Sequence, residues 1–395
     1  MKKIDYLLIG PSFPYRGGIA QTQNEFALNL LKLGKNIEVF TFKKLYPKFL
    51  FPGKTQFTSE GKPSNLKIKI NIHSYNPFNW IKIGKEINKI KPKYIIFRYY
   101  TPLLALCYVN IISYINKDIK SIALVDNWTP HEPKFYDNFF NKLFSKKIDS
   151  YITLSNKLAL VLKIKTKSRV FSGFHPISEN LPKIISKKKA RKKLGWDPDI
   201  PIVLFYGLIR SYKGLDNLLR AFANPPLSLS KAKLGIVGEF YEPIDKYQLL
   251  IKKLKLEKNI YLIPKYANMK STQLYFSSAD VIALTYKSAT QSGVIPIAYH
   301  FLTPILVTDL IGLKTPILKD KSGLICSQKP HDISHKLSEM LIEDRKEFFQ
   351  KNIKKSVKKY SWAEYSKQVT NFIENKNLNE NKSFFTINNY NFTFM

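Results

Sequence analysis

The 395-residue chain reads as an α/β protein built of two doubly wound parallel-sheet domains. Two observations predict this. Short apolar runs alternate with helical patterns from the first residues onward. A polar, proline-bearing break then divides the alternation into two halves. Strands buried on both faces are near-continuous apolar runs, and helices between them imply a parallel sheet covered on both sides. The length agrees, because roughly 150 residues per domain gives two or three domains.

Along the chain, Asp5–Ile9 is a strand, Ala20–Leu33 a helix stopped by Gly34, and Ile37–Phe42 a second strand. Leu45–Pro63 is rich in Pro, Gly and Phe and reads as a loop. Tyr94–Phe97, Ser121–Val125 and Tyr151–Leu154 are further strands. The longest apolar stretch, Tyr99–Ile115, contains Pro102, Asn110 and Ser113 and falls short of the ~20 residues a membrane span needs. A buried helix is expected there. Phe171–Pro201, with HPISENLP and SKKKARKKLGWDPDIP, is the break. Strands resume at Ile202–Phe205, Lys233–Val237, Ile260–Ile263, Val281–Leu284 and Ile305–Val307. This gives domain limits of 1–175 and 176–360. Residues 361–375 form a helix expected to return to the first domain, and the Asn-rich 376–395 is expected to be a loose tail.

The net charge is +35, spread over both halves. Such a field suits an anionic partner: nucleic acid, anionic lipid or a phosphorylated substrate. Two cysteines, Cys107 and Cys326, make neither a disulfide framework nor a metal cluster, which fits a reducing compartment. The N-terminus reads as a first strand and not as a signal peptide, so a cytoplasmic protein is expected. In Asn79–Lys93, Trp80, Ile81, Ile83, Ile87 and Ile90 interleave with Lys82, Lys85, Lys89 and Lys91. That pattern suits a core-facing helix with a solvated outer face, or a basic helix resting peripherally on an anionic membrane surface.

Open parallel sheets bind ligands beyond the carboxyl ends of their strands. The residues immediately after each strand therefore matter most. After the first comes PYRGGIAQ, where Gly17 and Gly18 open a helix and let backbone N–H groups approach an anion. After Ser121–Val125 comes DNWTPHE, with Asp126, Asn127, His131 and Glu132. After Ile202–Phe205 comes YGLIRSYKG, with Arg210 and Lys213 ahead of Leu215, Leu218, Leu219 and Phe222 at helical spacing. A helix N-terminus is already partly positive, so cations there invite an anion. After Lys233–Val237 come Gly238 and Glu239. After Val281–Leu284 comes TYKSATQSGV, with Tyr286, Ser288, Thr290, Gln291, Ser292 and Gly293. Polar turns converging on the same ends of two sheets point to a phosphate-bearing ligand between the domains. WDPD, Trp196–Asp199, precedes a strand and reads as a turn, not a metal site.

Together YGLIRSYKGLDNLLRAF, LGIVGEFYE, YFSSADVIALTYKSATQSGV and PILVTDLIGL resemble the second half of family-four nucleotide-sugar glycosyltransferases. PYRGGIAQ, DNWTPHE and YITLSNKL extend the resemblance through the first half, to about residue 375. It implies a GT-B fold, two Rossmann-like domains facing across a cleft. It implies a retaining, hexosyltransferase-type transfer from a nucleoside diphosphate-sugar to a hydroxyl of a glycan or lipid-linked acceptor, in envelope polysaccharide or glycolipid synthesis. Arg210 and Lys213 would contact the donor diphosphate. Gly17, Gly18, Gly238, Glu239, Tyr286, Thr290, Gln291, Ser292 and Gly293 would surround the donor. No metal or other cofactor is implied. Many relatives carry two glutamates around 286–298; here Gln291 lies near the first, and Ile297 or Ala298 near the second. Relatives often have a His where Asp126 stands, so either Asp126 or His131 would face the acceptor. Two other readings stay open: a nucleic-acid-binding protein, for which no recognised motif is present, and a nucleotide-sugar 2-epimerase on the same fold.

Overall fold

Strand β1, Tyr6–Ile9, is buried along its whole length in the interior of a seven-stranded parallel sheet, between the strands Ile37–Lys44 and Tyr94–Tyr99. The computed structural model describes residues 3–45, 56–58, 61–129 and 134–375. These form two units: one holds the chain up to Phe174 and again from Trp362, the other holds His175–Ser361. The tail from residue 376, expected to be loose, lies outside the described residues.

In the first unit β1 leads to α1 (Gly18–Lys32), β2 (Ile37–Lys44), β3 (Ile68–His73), α2 (Pro77–Ile90) and β4 (Tyr94–Tyr99). After these come α3 (Ala105–Ser113), β5 (Lys120–Val125), α4 (Asp137–Ser145), β6 (Ser150–Thr153), α5 (Asn156–Lys165) and β7 (Arg169–Phe171). The strand order is β3-β2-β1-β4-β5-β6-β7. The order reverses between β1 and β4, which marks the switch point where such sheets bind ligands. Chain direction explains the helix layers. The crossovers carrying α2, α3 and α4 all advance the same way across the sheet, and right-handed crossovers then put them on one face. They pack side by side there. Tyr99–Ile115 divides into the end of β4, a 3-10 turn at Pro102–Leu104 and the buried α3.

The second unit begins inside the expected break. The basic run Lys187–Leu194 is helix α6, capped by the Ser186 hydroxyl. Its Arg191 is 2% exposed and donates to Asp280 Oδ2 (2.7 Å) and to the Ser278 carbonyl. Lys187 also pairs with Asp280 (2.5 Å). Part of the charged segment is therefore structural. Trp196 stacks on Tyr261 at 4.7 Å, and Asp197 Oδ1 accepts the N–H groups of Asp199 and Ile200, which makes WDPD a turn as expected.

Next come β8 (Ile202–Tyr206), α7 (Leu215–Phe222), β9 (Lys233–Val237), α8 (Asp245–Lys253), β10 (Ile260–Ile263) and α9 (Met269–Ser278). They are succeeded by β11 (Val281–Leu284), α10 (Val294–His300), β12 (Ile305–Thr308), α11 (Ile311–Asp320), β13 (Gly323–Cys326), α12 (Pro330–Met340) and α13 (Glu343–Ser356). This parallel sheet has the order β10-β9-β8-β11-β12-β13, with its switch point between β8 and β11. The last helix, α14 (Trp362–Glu374), packs on α1 of the first unit. Trp362 and Tyr365 are fully buried against Phe26, and Glu374 accepts from Tyr6 (2.6 Å) and Lys35 (2.6 Å).

Candidate functional site

The second unit places two cations at its switch point. Strand β8 ends at Gly207, whose φ of +102° only glycine adopts easily. The chain then passes Ile209 and Arg210, makes a 3-10 turn at Ser211–Lys213, and enters α7 through Gly214 at φ +69°. A Cβ on Gly214 would lie 2.0 Å from the Thr285 carbonyl oxygen, so glycine lets this turn press against the segment after β11. Leu215, Leu218, Leu219 and Phe222 are all buried in the core, as their spacing predicts.

Lys213 is 7% exposed. Its ammonium lies 5.6 Å from the Tyr286 ring centre and beside Gly207. Among the described residues no carboxylate forms an ion pair with Lys213 or Arg210. Burial, with a smaller contribution from the nearby Arg210 charge, pulls the Lys213 pKa down from 10.5 to about 8. Arg210 stacks over Tyr241 at 5.0 Å. That ring comes after β9, and the two turns are stitched together. Ile209 N–H donates to Glu239 O (2.8 Å), and Tyr241 N–H donates to Ile209 O (3.0 Å). A Cβ on Gly238 would sit 1.9 Å from Gly207 O, which explains the glycine there. Arg210, Lys213, Gly238 and Glu239 thus belong to one pair of adjoining turns.

The third turn comes after β11. Tyr286 is buried, with its hydroxyl 3.3 Å from Ser292 Oγ, and Ser292 Oγ also accepts the Val294 N–H (3.2 Å). Burial drives the Tyr286 phenol far above its usual range, so it stays neutral. Gln291 Oε1 is buried with no hydrogen-bond partner. Thr290 presses its carbonyl against Gly312, while Ser288 and Gly293 are exposed. Exposed Lys287 pairs with Asp216 at 2.8 Å.

In the first unit, Gly17 takes φ +103° and Gly18 begins α1. A Cβ at either would meet nothing within 4 Å, so their approach is sterically open. Arg16 N–H donates to Gln56 O (2.9 Å), which fixes this turn to residues 56–58.

Asp126 is held by a buried arginine. Both its carboxylate oxygens accept from buried Arg98, at 2.5 Å each, and Arg98 Nη2 also reaches Thr22 Oγ1 (2.9 Å). Asp126 is the counter-ion of a buried guanidinium, which gives its carboxylate a structural role in the first unit. The sequence signal for Arg98 is slight, a lone cation in the apolar strand YIIFRYY. His131 and Glu132 lie outside the described residues. No group of three or more His, Cys, Asp or Glu side chains able to hold a metal gathers among the described residues.

Residues 186–359, within the second unit, match the family model described as Glycosyl transferases group 1. An uncharacterised glycosyltransferase of Methanocaldococcus jannaschii is 26% identical over 211 residues, 51% of this chain and 52% of the relative. The matched stretch thus spans about half the length of that relative. Sucrose-phosphate synthase from Thermosynechococcus elongatus superimposes with a TM-score of 0.73 at 15% identity, covering 94% of this chain and 98% of that one. Anabaena HepE, solved in complex with UDP and glucose, gives 0.70 at 13% identity, covering 94% and 99%. The fold is GT-B.

Proposed function

We propose that the protein is a glycosyltransferase and that Arg210 and Lys213 hold the diphosphate of a nucleotide-sugar donor. The buried, depressed ammonium of Lys213, with no carboxylate among the described residues to neutralise it, carries this reading. A cation desolvated without a counter-ion is unfavourable, and a diphosphate removes that penalty. The chemistry uses the same groups. The bond between the sugar anomeric carbon and the diphosphate oxygen breaks, and negative charge grows on the leaving group. Fixed cations in a dry site stabilise that growing charge. The acceptor hydroxyl oxygen bonds to the anomeric carbon on the same face, and the departing diphosphate takes its proton, so configuration is retained. In this scheme the two cations do the neutralising work.

Gly238, Glu239, Tyr286, Thr290, Gln291, Ser292 and Gly293 would line the donor, and Gly17 and Gly18 would approach its phosphates. Family-four membership, a hexosyl donor, a glycan or lipid-linked acceptor and a role in envelope polysaccharide or glycolipid synthesis belong to the same proposal. So does work on the cytoplasmic side of a membrane. Asp126 or His131 would face the acceptor, with Asp126 held in place by Arg98. HepE with UDP and the group 1 match support the donor class.

The test is thermal unfolding against UDP, GDP, ADP and their sugars. Ligand at ~100 times its dissociation constant adds about 2.7 kcal/mol of stability. One nucleotide should shift the wild type and leave Arg210→Ala/Lys213→Ala unmoved. No shift with any nucleotide, together with steeply salt-dependent binding to nucleic acid, would favour the nucleic-acid reading.

A further inference from the structure

In the first unit, the helices on the α2–α3–α4 face run opposite to the strands they connect. Their N-terminal ends therefore sit at the carboxyl edge of the sheet, the edge that carries Gly17 and Gly18. That rim is apolar. Phe78, the second residue of α2, is 84% exposed. Phe135, just before α4, is 96% exposed, and Phe139, in its first turn, 65%. Leu103 and Leu106, in the 3-10 turn and first turn of α3, are also exposed. The three helices pack side by side, so these side chains share one surface. Phe135, Tyr136, Phe139 and Phe140 form a run of ring contacts at 5.2–5.7 Å.

The charges on the outer faces of the helices that carry the rim have one sign, beginning at Lys134 and Lys82 beside it and continuing toward the helix C-termini. Lys82, Lys85 and Lys89 are exposed on α2, and Lys134, Lys142, Lys146 and Lys147 on or beside α4. The acidic residues of these helices are Glu86 and Asp137. Glu86 is paired with Lys69 (3.1 Å), and Asp137 is buried, accepting the Lys134 N–H. Among the described residues of these helices, no free carboxylate opposes the lysines.

Exposed aromatic rings at one end of a lysine-bearing helical face are what an anionic bilayer surface binds, rings entering the headgroup boundary and ammonium groups meeting lipid phosphates. We infer that the rim formed by Phe78, Leu103, Leu106, Phe135 and Phe139 docks on an anionic lipid bilayer and turns the acceptor side of the first unit toward it. Among the described residues no helix is long and apolar enough to cross a membrane, so the contact is a surface one. The docking surface stands on its own observations and does not need the donor assignment. With it, a lipid-linked acceptor becomes the favoured class.

The test is flotation of the full chain with phosphatidylglycerol-containing vesicles and with neutral phosphatidylcholine vesicles. Binding should require the anionic lipid and weaken with salt. Phe78→Ser/Phe135→Ser/Phe139→Ser should lower bound protein at least about tenfold at equal lipid. Its melting curve and nucleotide shift should match the wild type, because these side chains are exposed. Lys82→Glu/Lys85→Glu/Lys142→Glu should abolish the anionic preference. Failure of the wild type to float overturns the inference, as does a triple Phe variant that floats equally well. So does finding that this surface instead mediates self-association in solution with no vesicle binding. A protein that floats yet responds to no nucleotide would leave the docking surface standing and refute only the donor proposal.

Discussion

Lys213 should make the unliganded protein less stable, and replacing it should improve stability while removing donor binding. Its pKa falls from 10.5 to about 8 in the fold. At ~1.36 kcal/mol per unit, that is about 3 kcal/mol of unfavourable burial at neutral pH. The sign comes from proton counting. Between about pH 8 and 10.5 the unfolded chain holds the Lys213 proton and the folded chain does not, so stability from this group rises with pH across that window. Below pH 8 the full penalty applies. Lys213→Met should therefore stabilise the apo protein at pH 7 by up to about 3 kcal/mol, the upper limit if Met fills the space of the alkyl stem. The gain should shrink above pH 8 and vanish near 10.5. A diphosphate reverses the situation by favouring the charged form, so donor binding should take up a proton and weaken above pH 8, at most about tenfold per pH unit. The assays are thermal unfolding of both proteins from pH 7 to 10 and calorimetric titration in buffers of different ionisation enthalpy. A Lys213→Met protein less stable than wild type at pH 7, or a stability difference flat from pH 7 to 10, would refute the reasoning.

The geometry makes three further outcomes testable. Asp126→Ala leaves a buried guanidinium without its counter-ion and should cost about 3–5 kcal/mol, seen as a lowered melting temperature whatever the ligand. Gly214→Ala combines φ +69° with a Cβ 2.0 Å from Thr285 O; it should cost more than about 1 kcal/mol, and nucleotide-induced stabilisation should fall with it. Gln291→Ala removes a buried acceptor that has no protein partner; it should weaken a nucleotide-sugar by roughly tenfold while sparing the bare nucleoside diphosphate, measured by calorimetry.

The central strands are legible because burial on both faces forces continuous apolar runs: Tyr6–Ile9, Val281–Leu284 and Ile305–Thr308 sit where their sequences say. The strands that local pattern does not reveal are edge strands. Ile68–His73 alternates with Lys69, Asn71 and His73, Arg169–Phe171 has three residues, and Gly323–Cys326 is short. An edge strand has one sheet neighbour, tolerates polar residues and leaves little periodicity to read. Helix α6 is hidden for another reason. KKKARKKL looks like a solvated run, and only Asp280, some ninety residues on, gives Arg191 and Lys187 a reason to be there. Long-range ion pairs do not show in local patterns.

The same limit decides how the two sheets should be read. Each places an arginine or lysine near its switch point: Arg98 at the end of β4, Arg210 and Lys213 after β8. By residue type they are alike. In the first unit Asp126 accepts from the guanidinium with both oxygens and Thr22 takes a further bond, so the cation has its counter-ion inside the fold although Arg98 Nη1 is buried without a partner. In the second unit aromatic faces, Tyr241 and Tyr286, meet the cations, and no carboxylate among the described residues does. An aromatic ring holds a cation in place without neutralising it. It keeps Arg210 and Lys213 oriented and still able to gain from an anion. Had a carboxylate stood where Tyr286 stands, Lys213 would carry an ordinary charge in a finished ion pair, and a diphosphate would have to displace it. The unmet charge beside a neutral ring is what separates a waiting site from a structural one, and it appears only when the turns after β8, β9 and β11 are brought together.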